Sequence, residues 1–553
     1  MNKIFNLRFL FPLIIILFLG IHIAGLSIPY HQDEYKWVYY SQSELGVVPH
    51  PPLTEFIYKQ FGPVVGDNNF RLIPAVFGLA NLFLIFYLAK TIFNSRTALW
   101  TAFLFTISFY SLLASLMVDV DGAVMPFFLL IMMISYYKLR ARSFELRGGN
   151  IKWLVCLILG AIGGFLTKMS GVLPLMALLL DFALLKGLFQ DKKRIFKFFG
   201  LGLGLGVGVV LILLLAKIVF PFFPIEKSLV YWKHFANSSS FLDRGWLQTF
   251  IQFAKTVMYT SPLLILPVFL VDREIFQKTR VFFFFIFIGI FFYLFAFDFS
   301  IGALDRYFQF LVIPLCVIIG AIFSQNFSSN NSPTLASLGP SLTLREGTAL
   351  GVIAVLVFFL QFFNHFVPPL YPKTEWLERV LSFKWNFLFP FTGGSGPTGF
   401  YISFAFMALI WIISLVFARK RMILAILILG LLYNVVFIEE YLFGEINGSA
   451  RSLFKEAKEV IIKDPKIKEV LVYNDIGGFE IQQIGKYKRR IYATPQFQDT
   501  YKKVFADFDG HILFIDIPRI DSNSFYAEYF ASCKNIYKDQ NKYIKAEILD
   551  CKK

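Results

Sequence analysis

Long apolar segments follow one another through the first 440 residues, separated by short polar stretches. A helix needs about 20 apolar residues to cross the hydrocarbon core of a bilayer, and by this criterion the pattern predicts about thirteen spans. They lie near residues 9–29, 72–89, 97–116, 122–137, 152–167, 171–186, 198–222, 251–271, 281–298, 307–323, 349–367, 399–417 and 422–440. The expected fold is therefore a polytopic α-helical membrane protein, with residues 1–440 as its transmembrane domain.

The composition agrees with this interpretation. Of the 553 residues, 57% are hydrophobic and 16% are charged, whereas soluble domains carry about 25% charge. Runs such as 281–292 are too long and too apolar for the strands of an outer-membrane barrel. The net charge of +16 would suit a nucleic-acid-binding protein, but the cations lie in short clusters between apolar segments, as in cytoplasmic loops. We expect the lipid bilayer as a partner, and no nucleic acid.

The distribution of Lys and Arg predicts the orientation. Lys3 and Arg8 precede the first span and place the N-terminus in the cytoplasm, and every second loop then carries a basic cluster. The first outside loop, residues 30–69, holds two lysines against five acidic residues. We therefore expect a multi-pass protein of the inner (plasma) membrane. The first span could instead be a cleaved signal peptide, but its apolar core is longer than a typical signal-peptide core.

An odd number of spans places residues 441–553 outside the cytoplasm. Apolar runs shorten there to strand length, at 469–473 and 511–515, and alternate with helix-like stretches at 449–463 and 524–532. The pattern predicts a small extracytoplasmic α/β domain without a catalytic signature. Cys533 and Cys551 could pair if this region lies in an oxidising compartment. The segment 326–346, rich in Ser, Asn and Pro, is predicted to be a flexible cytoplasmic loop.

Ionisable and polar residues gather at the predicted outer ends of the spans, where charge near hydrocarbon tends to mark function. The candidates are His31, Asp33, Glu34, His50, Arg71, Asp119, Asp121, Lys168, Asp305, Arg306 and Tyr307. Each has a simpler interpretation. The acidic pair Asp33–Glu34 could lie in a solvated loop, and Asp121 could cap the following helix. Lys168, Arg306 and Arg71 could extend to lipid headgroups, and His50 could serve a turn.

Taken together, these residues suit the transfer of a group from a lipid-linked phosphate at the outer leaflet. A carboxylate can take the proton of an acceptor hydroxyl, and cations can neutralise the departing phosphate. Nucleotide sugars are made in the cytoplasm, so an outward-facing site favours a polyprenyl-phosphate donor.

Six motifs, in this order and spacing, carry a family resemblance. They are Asp33-Glu34, Pro51-Pro-Leu53, Phe70-Arg-Leu-Ile-Pro74, Asp121-Gly-Ala-Val-Met-Pro-Phe-Phe128, Leu166-Thr-Lys168 and Arg306-Tyr-Phe-Gln-Phe-Leu-Val-Ile-Pro314. The chain resembles the C-type (GT-C) glycosyltransferases of the protein O-mannosyltransferase and aminoarabinose (lipid A) transferase superfamily over its first 315 or so residues. The resemblance implies about a dozen spans and often an extracytoplasmic C-terminal domain.

The resemblance also implies residue roles. Asp33 would be the catalytic Asp of the outer loop 30–69, with Glu34 beside it and Asp121 as the second acidic position. Lys168 and Arg306 would bind the donor phosphate. We predict Arg71 as a further phosphate contact, with His50, Asp119 and Tyr307 as other candidates. Many bacterial relatives have Lys where this chain has His50, so that phosphate contact would be weaker or pH-dependent. Metal dependence varies in the group. His31, Asp33, Glu34 and His50 could hold a divalent metal ion, but their spacing does not establish one.

The predicted function is thus a membrane glycosyltransferase of the cell envelope that moves a sugar from a polyprenyl-phosphate donor, with inversion. The sequence does not decide between three acceptors: a protein hydroxyl, lipid A or another envelope glycolipid, and a growing polysaccharide. A transporter or flippase of a lipid-linked intermediate is the alternative, although transporters place polar groups near the bilayer midplane. A non-catalytic scaffold is a third.

Overall fold

The computed structural model describes residues 7–30, 32–41, 50–144, 150–188, 192–238, 245–296, 305–327, 388–390, 399–474, 476–491, 493, 498–517, 519–520 and 522–551. Helices dominate the first part of the chain. They are α1 (Leu7–Gly25), α2 (Gln32–Ser41), α3 (Pro52–Val65), α4 (Leu72–Ile92), α5 (Ser95–Ile107), α6 (Phe109–Leu116), α7 (Val124–Arg140), α8 (Asn150–Thr167), α9 (Val172–Leu185), α10 (Lys192–Val219), α11 (Ile225–Ser238), α12 (Trp246–Tyr259), α13 (Pro262–Ile265), α14 (Arg273–Phe291), α15 (Val312–Asn326), α16 (Phe404–Arg419) and α17 (Ile423–Leu442). Short 3₁₀ turns at Asp67–Asn69, Met169–Gly171, Leu266–Leu270 and Asp305–Leu311 connect some of them.

Several of these helices are suited to a membrane. Among the described residues, five are long and apolar enough to cross a bilayer, and a bent pair formed by α5 and α6 would make a sixth. Four shorter apolar helices accompany them. The polytopic helical architecture agrees with the expectation, whereas the count of thirteen stays a prediction. The predicted span 349–367 and most of the predicted flexible loop 326–346 lie outside the described residues.

Two predicted spans are interrupted. The span 97–116 bends by 66° at Ser108, where the backbone is extended between α5 and α6. The span 251–271 divides at Thr260 and Ser261, because Pro262 lacks an N–H and disfavours a helical residue before it. Ser261 then caps the next helix by accepting a hydrogen bond from the backbone N–H of Leu263.

The helical core centres on α15, which is the most buried of the candidate spans. Gly320 permits a close approach to α5, since a Cβ at this position would lie 2.3 Å from the hydroxyl oxygen of Thr101. By contrast, α10 leaves Val210, Leu214 and Ile218 exposed, as expected for side chains that face lipid. The packed centre supports the helix ends at which the candidate site lies.

The C-terminal part is an α/β domain, as predicted. Its helices are α18 (Ala450–Lys463), α19 (Gly478–Gln483), α20 (Gln498–Ala506) and α21 (Phe525–Ser532). Before the domain, β1 (Leu388–Pro390) and β2 (Tyr401–Ser403) pair antiparallel. The five-stranded sheet contains β3 (Val470–Tyr473), β4 (Tyr487–Ile491), β5 (His511–Ile515), β6 (Lys534–Asn541) and β7 (Ile544–Asp550), in the order β4-β3-β5-β7-β6. The pairs β3–β4 and β3–β5 are parallel, and β7 pairs antiparallel with β5 and β6.

A disulfide joins Cys533 to Cys551, with an S–S distance of 2.06 Å. The sequence left this pairing open. The bond connects the start of β6 to the residue after β7, so it closes the edge hairpin of the sheet. Disulfides persist in oxidising compartments, which agrees with the predicted placement of this domain outside the cytoplasm.

Candidate functional site

A buried ion pair links the acidic segment to the second predicted span. Arg71 precedes α4 and Glu34 lies in the first turn of α2. Nη1 of Arg71 lies 2.6 Å from Oε1 of Glu34, and Nη2 lies 2.6 Å from Oε2. Both side chains are buried. This two-bond geometry is the arrangement in which a guanidinium and a carboxylate interact most strongly.

The remaining donors of Arg71 bind backbone oxygens. Nε donates to the carbonyl of Ile28 at 2.9 Å, Nη2 to that of Pro29 at 2.8 Å, and Nη1 to that of Leu116 at 2.6 Å. All five N–H groups of the guanidinium are thereby occupied. Arg71 thus acts as a brace that ties the segment after α1, the start of α2 and the end of α6 together, and its role as a phosphate contact stays a prediction.

Glu34 shares this structural role. Its Oε1 also accepts a hydrogen bond from the backbone N–H of Val118 at 3.0 Å. A buried carboxylate held by a guanidinium and a backbone amide is poorly placed to take a proton from a substrate. We therefore treat Glu34 as the residue that positions the first turn of α2, which also carries Asp33.

Asp119 contacts the same helix. Its Oδ1 accepts a hydrogen bond from the indole N–H of Trp37 at 3.2 Å. The ring of His50 lies 5.6 Å from that of Trp37, and the ring of Tyr58 lies 5.9 Å away. Burial, together with the nearby Asp119 carboxylate, raises the pKa of the Tyr58 hydroxyl well above its ordinary value. Tyr58 is therefore neutral at physiological pH, and Asp119 and His50 help to hold α2 in place.

Lys168 and Asp121 form a second ion pair. The ammonium group of Lys168, in the turn between α8 and α9, contacts Oδ1 of Asp121, in the turn before α7. It also lies 4.2 Å above the ring of Tyr307, which stacks on Tyr293 with 5.6 Å between ring centres. Lys168 is thus a partly buried partner of an acid and an aromatic ring. Asp121 does not cap α7, whose N-cap is Ala123 without a side-chain bond.

A partly open cavity adjoins this pair. Both charged residues line it, together with polar side chains of α4, α6 and the 3₁₀ turn Asp305–Leu311. Apolar side chains form most of the remaining wall, among them Phe105, Leu129 and Ile313. An apolar pocket with a few convergent polar groups is typical of a ligand site.

For three predicted residues the structure describes the backbone alone. Asp33 lies in α2, and Asp305 and Arg306 lie in the turn Asp305–Leu311. Their roles stay predictions. The structure brings Glu34, Arg71 and Asp119 together around α2, and it brings Asp121, Lys168 and Tyr307 together at the cavity.

Sequence reasoning missed a contribution from the C-terminal domain. Phe479 of α19 packs edge-on against Tyr30, with 5.0 Å between ring centres. The carboxylate of Glu480 accepts a hydrogen bond from the backbone of Tyr30 and interacts with Arg71 and Lys458, while partial burial raises its pKa. In the sequence around this helix, the pair Gly477-Gly478 is the signal for a turn. Gly477 directly precedes α19 and adopts a left-handed conformation (φ +79°).

The possible divalent metal ion finds no support in the described side chains. No group of three or more His, Cys, Asp or Glu among them is arranged to hold a metal. Glu34 and Asp119 already bind Arg71 and Trp37, respectively. His31 and the side chain of Asp33 lie outside the description. The divalent metal ion stays a prediction.

Solved structures with similarity to the chain include three membrane enzymes. ArnT from Cupriavidus metallidurans in the apo state shares 13% identity, with 97% of each chain covered and a TM-score of 0.48. The oligosaccharyltransferase of Archaeoglobus fulgidus in its apo form shares 11% identity over 93% of this chain and 70% of that one, with a TM-score of 0.40. The Pmt1-Pmt2 protein O-mannosyltransferase complex of S. cerevisiae, bound to the sugar donor, shares 16% identity over 41% of this chain and 35% of that one, with a TM-score of 0.32.

No curated protein sequence matches the chain significantly. Residues 49–220 match the family model described as dolichyl-phosphate-mannose-protein mannosyltransferase. This segment contains His50, Arg71, Asp119, Asp121 and Lys168, and therefore most of the described site. The resemblance to the GT-C glycosyltransferases is supported by this match, which covers residues 49–220.

Proposed function

We propose that this protein transfers a sugar from a polyprenyl-phosphate donor to a hydroxyl acceptor outside the cytoplasm. The observation that carries the proposal is the Lys168–Asp121 pair beside a largely apolar cavity. A cation next to apolar walls suits a lipid phosphate, since it can bind the anion while the surroundings accept the lipid-linked substrate. The match over residues 49–220 supports the same reaction class.

The proposed reaction is a direct displacement at the anomeric carbon. Asp33 takes the proton from the acceptor hydroxyl, whose oxygen forms a bond to that carbon from the face opposite the leaving group. The bond between the anomeric carbon and the phosphate oxygen breaks, and polyprenyl phosphate leaves with the electron pair. The configuration is thereby inverted. Asp33 is assigned this role by family resemblance, and the Glu34–Arg71 brace supports it by holding the first turn of α2.

Lys168 stabilises the leaving group in this scheme. The phosphate gains one negative charge as the sugar departs, and an ammonium group held at the site interacts more strongly with that product than with the donor. Asp121 holds the ammonium in place before the phosphate arrives. Arg306, in the same 3₁₀ turn as Tyr307, is proposed as the second phosphate contact.

The experiment is transfer of radiolabelled sugar from polyprenyl-phosphate donors to endogenous acceptors in membrane vesicles. Asp33→Asn should abolish transfer, and Lys168→Ala should reduce it strongly, in vesicles that contain equal amounts of folded protein. Lys463→Ala is the control, because Lys463 forms a solvent-exposed ion pair with Glu459 in α18 and does not line the cavity. Full activity of both Asp33→Asn and Lys168→Ala would contradict the proposal.

A transporter of a lipid-linked intermediate is the second candidate. The observation that favours it is the 66° break between α5 and α6, because transporters bind substrates at interrupted helices. The charged pairs described above lie at the ends of other helices. Movement of labelled lipid across vesicles without sugar transfer would support transport and would exclude the transferase.

A further inference from the structure

Three polar side chains in the cavity wall have buried atoms that lack hydrogen-bond partners within the described residues. They are the side-chain oxygen of Asn81 in α4, the hydroxyl of Ser111 in α6, and both amide atoms of Gln309 in the 3₁₀ turn Asp305–Leu311. Three separate elements therefore contribute to one polar group of side chains, which we call the amide–hydroxyl recess. Lys168 and Asp121 line the same cavity.

Unpaired buried polar atoms are unusual in folded proteins, because burial removes their hydrogen bonds to water. Other polar side chains in these elements do find partners. Ser115 donates to the carbonyl of Ser111 at 2.7 Å, one helical turn away. The amide nitrogen of Asn81 donates to the carbonyl of Ala123 at 2.8 Å, which fixes this side chain and leaves its oxygen as an acceptor. The pattern is that of a site whose remaining partners come from a ligand.

The chemistry of the recess indicates what the ligand carries. An isoprenoid tail would leave every one of these polar atoms unsatisfied. Amide and hydroxyl groups both donate and accept, as sugar hydroxyls do. Among the described lining residues, the charged side chains are Asp121 and Lys168, which pair with each other. An ammonium-bearing sugar would require a further carboxylate.

We propose that Asn81, Ser111 and Gln309 bind the hydroxyl groups of an uncharged sugar on the polyprenyl-phosphate donor and determine which sugar is accepted. This inference rests on the proposed function. The phosphate lies at Lys168, and the sugar occupies the recess in the same cavity. The break at Ser108 contributes to the site, since it starts α6 just before Ser111. Irregular backbone at membrane depth is tolerated where it lines a cavity.

The test measures binding to the purified full-length chain in nanodiscs. The probes are short-chain polyprenyl phosphates that carry mannose, glucose, galactose or aminoarabinose, and undecaprenyl phosphate without a sugar. One of the three neutral-sugar probes should bind the unmodified protein more tightly than undecaprenyl phosphate. Gln309→Leu and Ser111→Ala should each weaken the binding of that probe by about five- to tenfold. Neither variant should change the affinity for undecaprenyl phosphate.

Ser135→Ala is the control, because Ser135 is a buried serine outside the cavity whose hydroxyl already donates to Ile131 at 2.7 Å. Thermal unfolding verifies that each variant is folded, and Ser111→Ala keeps the test valid if the larger change at Gln309 impairs folding. Equal weakening of all probes, unchanged binding of the neutral-sugar probe, or tightest binding of aminoarabinose would overturn the inference. Failure of the unmodified protein to bind any of the lipids would instead refute the proposed function itself.

Discussion

The carboxylate of Glu34 accepts two hydrogen bonds from the guanidinium of Arg71, each 2.6 Å long, in a buried environment. The two residues are 37 positions apart: Glu34 lies near the start of the loop 30–69, and Arg71 follows its end. Together with the carbonyls of Ile28, Pro29 and Leu116, they fix where α2 begins. The acidic segment is thus a braced element, not a freely solvated loop.

This brace predicts a large loss of stability when either partner is changed. Removing one member of a buried ion pair leaves the other charge uncompensated, which costs about 3–5 kcal/mol. Glu34→Gln and Arg71→Met should each lower the free energy of unfolding by this amount in detergent solution. The double variant should lose clearly less than the sum of the two changes. Additive losses would show that the two side chains do not depend on each other.

Lys168 should contribute to donor binding and not to folding alone. A hydrogen bond to a charged group contributes about 1.5–3 kcal/mol, so Lys168→Ala should weaken binding of undecaprenyl phosphate by about tenfold or more. Lys168→Arg should retain part of the affinity, because the positive charge remains. Titration of the purified variants with undecaprenyl phosphate measures the effect. Equal affinity of the unmodified protein and Lys168→Ala would remove Lys168 from the phosphate site.

Docking of the C-terminal domain on α2 should depend on pH through Glu480. Burial raises the pKa of this carboxyl in the docked state, and this effect outweighs the positive charges of Lys458 and Arg71, which lower the pKa. The docked state therefore binds the proton more tightly than the undocked state. Docking is strongest at pH values below the ordinary pKa of Glu and weakens as pH rises through the raised pKa.

Hydrogen–deuterium exchange of α19, corrected for its intrinsic pH dependence, measures this docking. Protection should fall with rising pH in the unmodified protein. The Glu480→Gln variant has no titrating group at this position. Protection of the α19 amides in this variant should therefore stay nearly constant over the same pH range. A variant that follows the pH profile of the unmodified protein would assign the effect to another group.

The Cys533–Cys551 disulfide should stabilise the C-terminal domain. The bond closes a loop with a sequence separation of 18 residues, for which chain entropy gives about 3 kcal/mol. Cys533→Ser with Cys551→Ser should lower the midpoint of thermal unfolding of this domain, and a reductant should do the same to the unmodified protein. Cys156, outside the disulfide, offers the control variant Cys156→Ser. An unchanged midpoint in the double variant would show that the bond is dispensable for stability.

The sequence predicted the helical membrane architecture, the α/β character of the C-terminal region and the gathering of polar residues, because hydrophobic periodicity and loop charge report on these directly. It did not predict that Arg71 binds Glu34, since pairing depends on how α2 and α4 approach each other. The bend at Ser108 was not predicted, because the two helices that flank it contain no Pro or Gly. Phe479 and Glu480 lie far from the loop along the chain, and their short helix carries no motif.

The central claim is that a polyprenyl-phosphate sugar is the donor for transfer at the site that contains Lys168 and Asp33. The most direct measurement compares lipid-linked sugars and envelope glycans, by mass spectrometry, in cells that carry the unmodified protein or the Asp33→Asn variant at equal abundance. The account predicts that one polyprenyl-phosphate sugar accumulates in the variant cells and that one glycoconjugate disappears. Identical lipid-linked sugars and identical glycans in the two strains would contradict it.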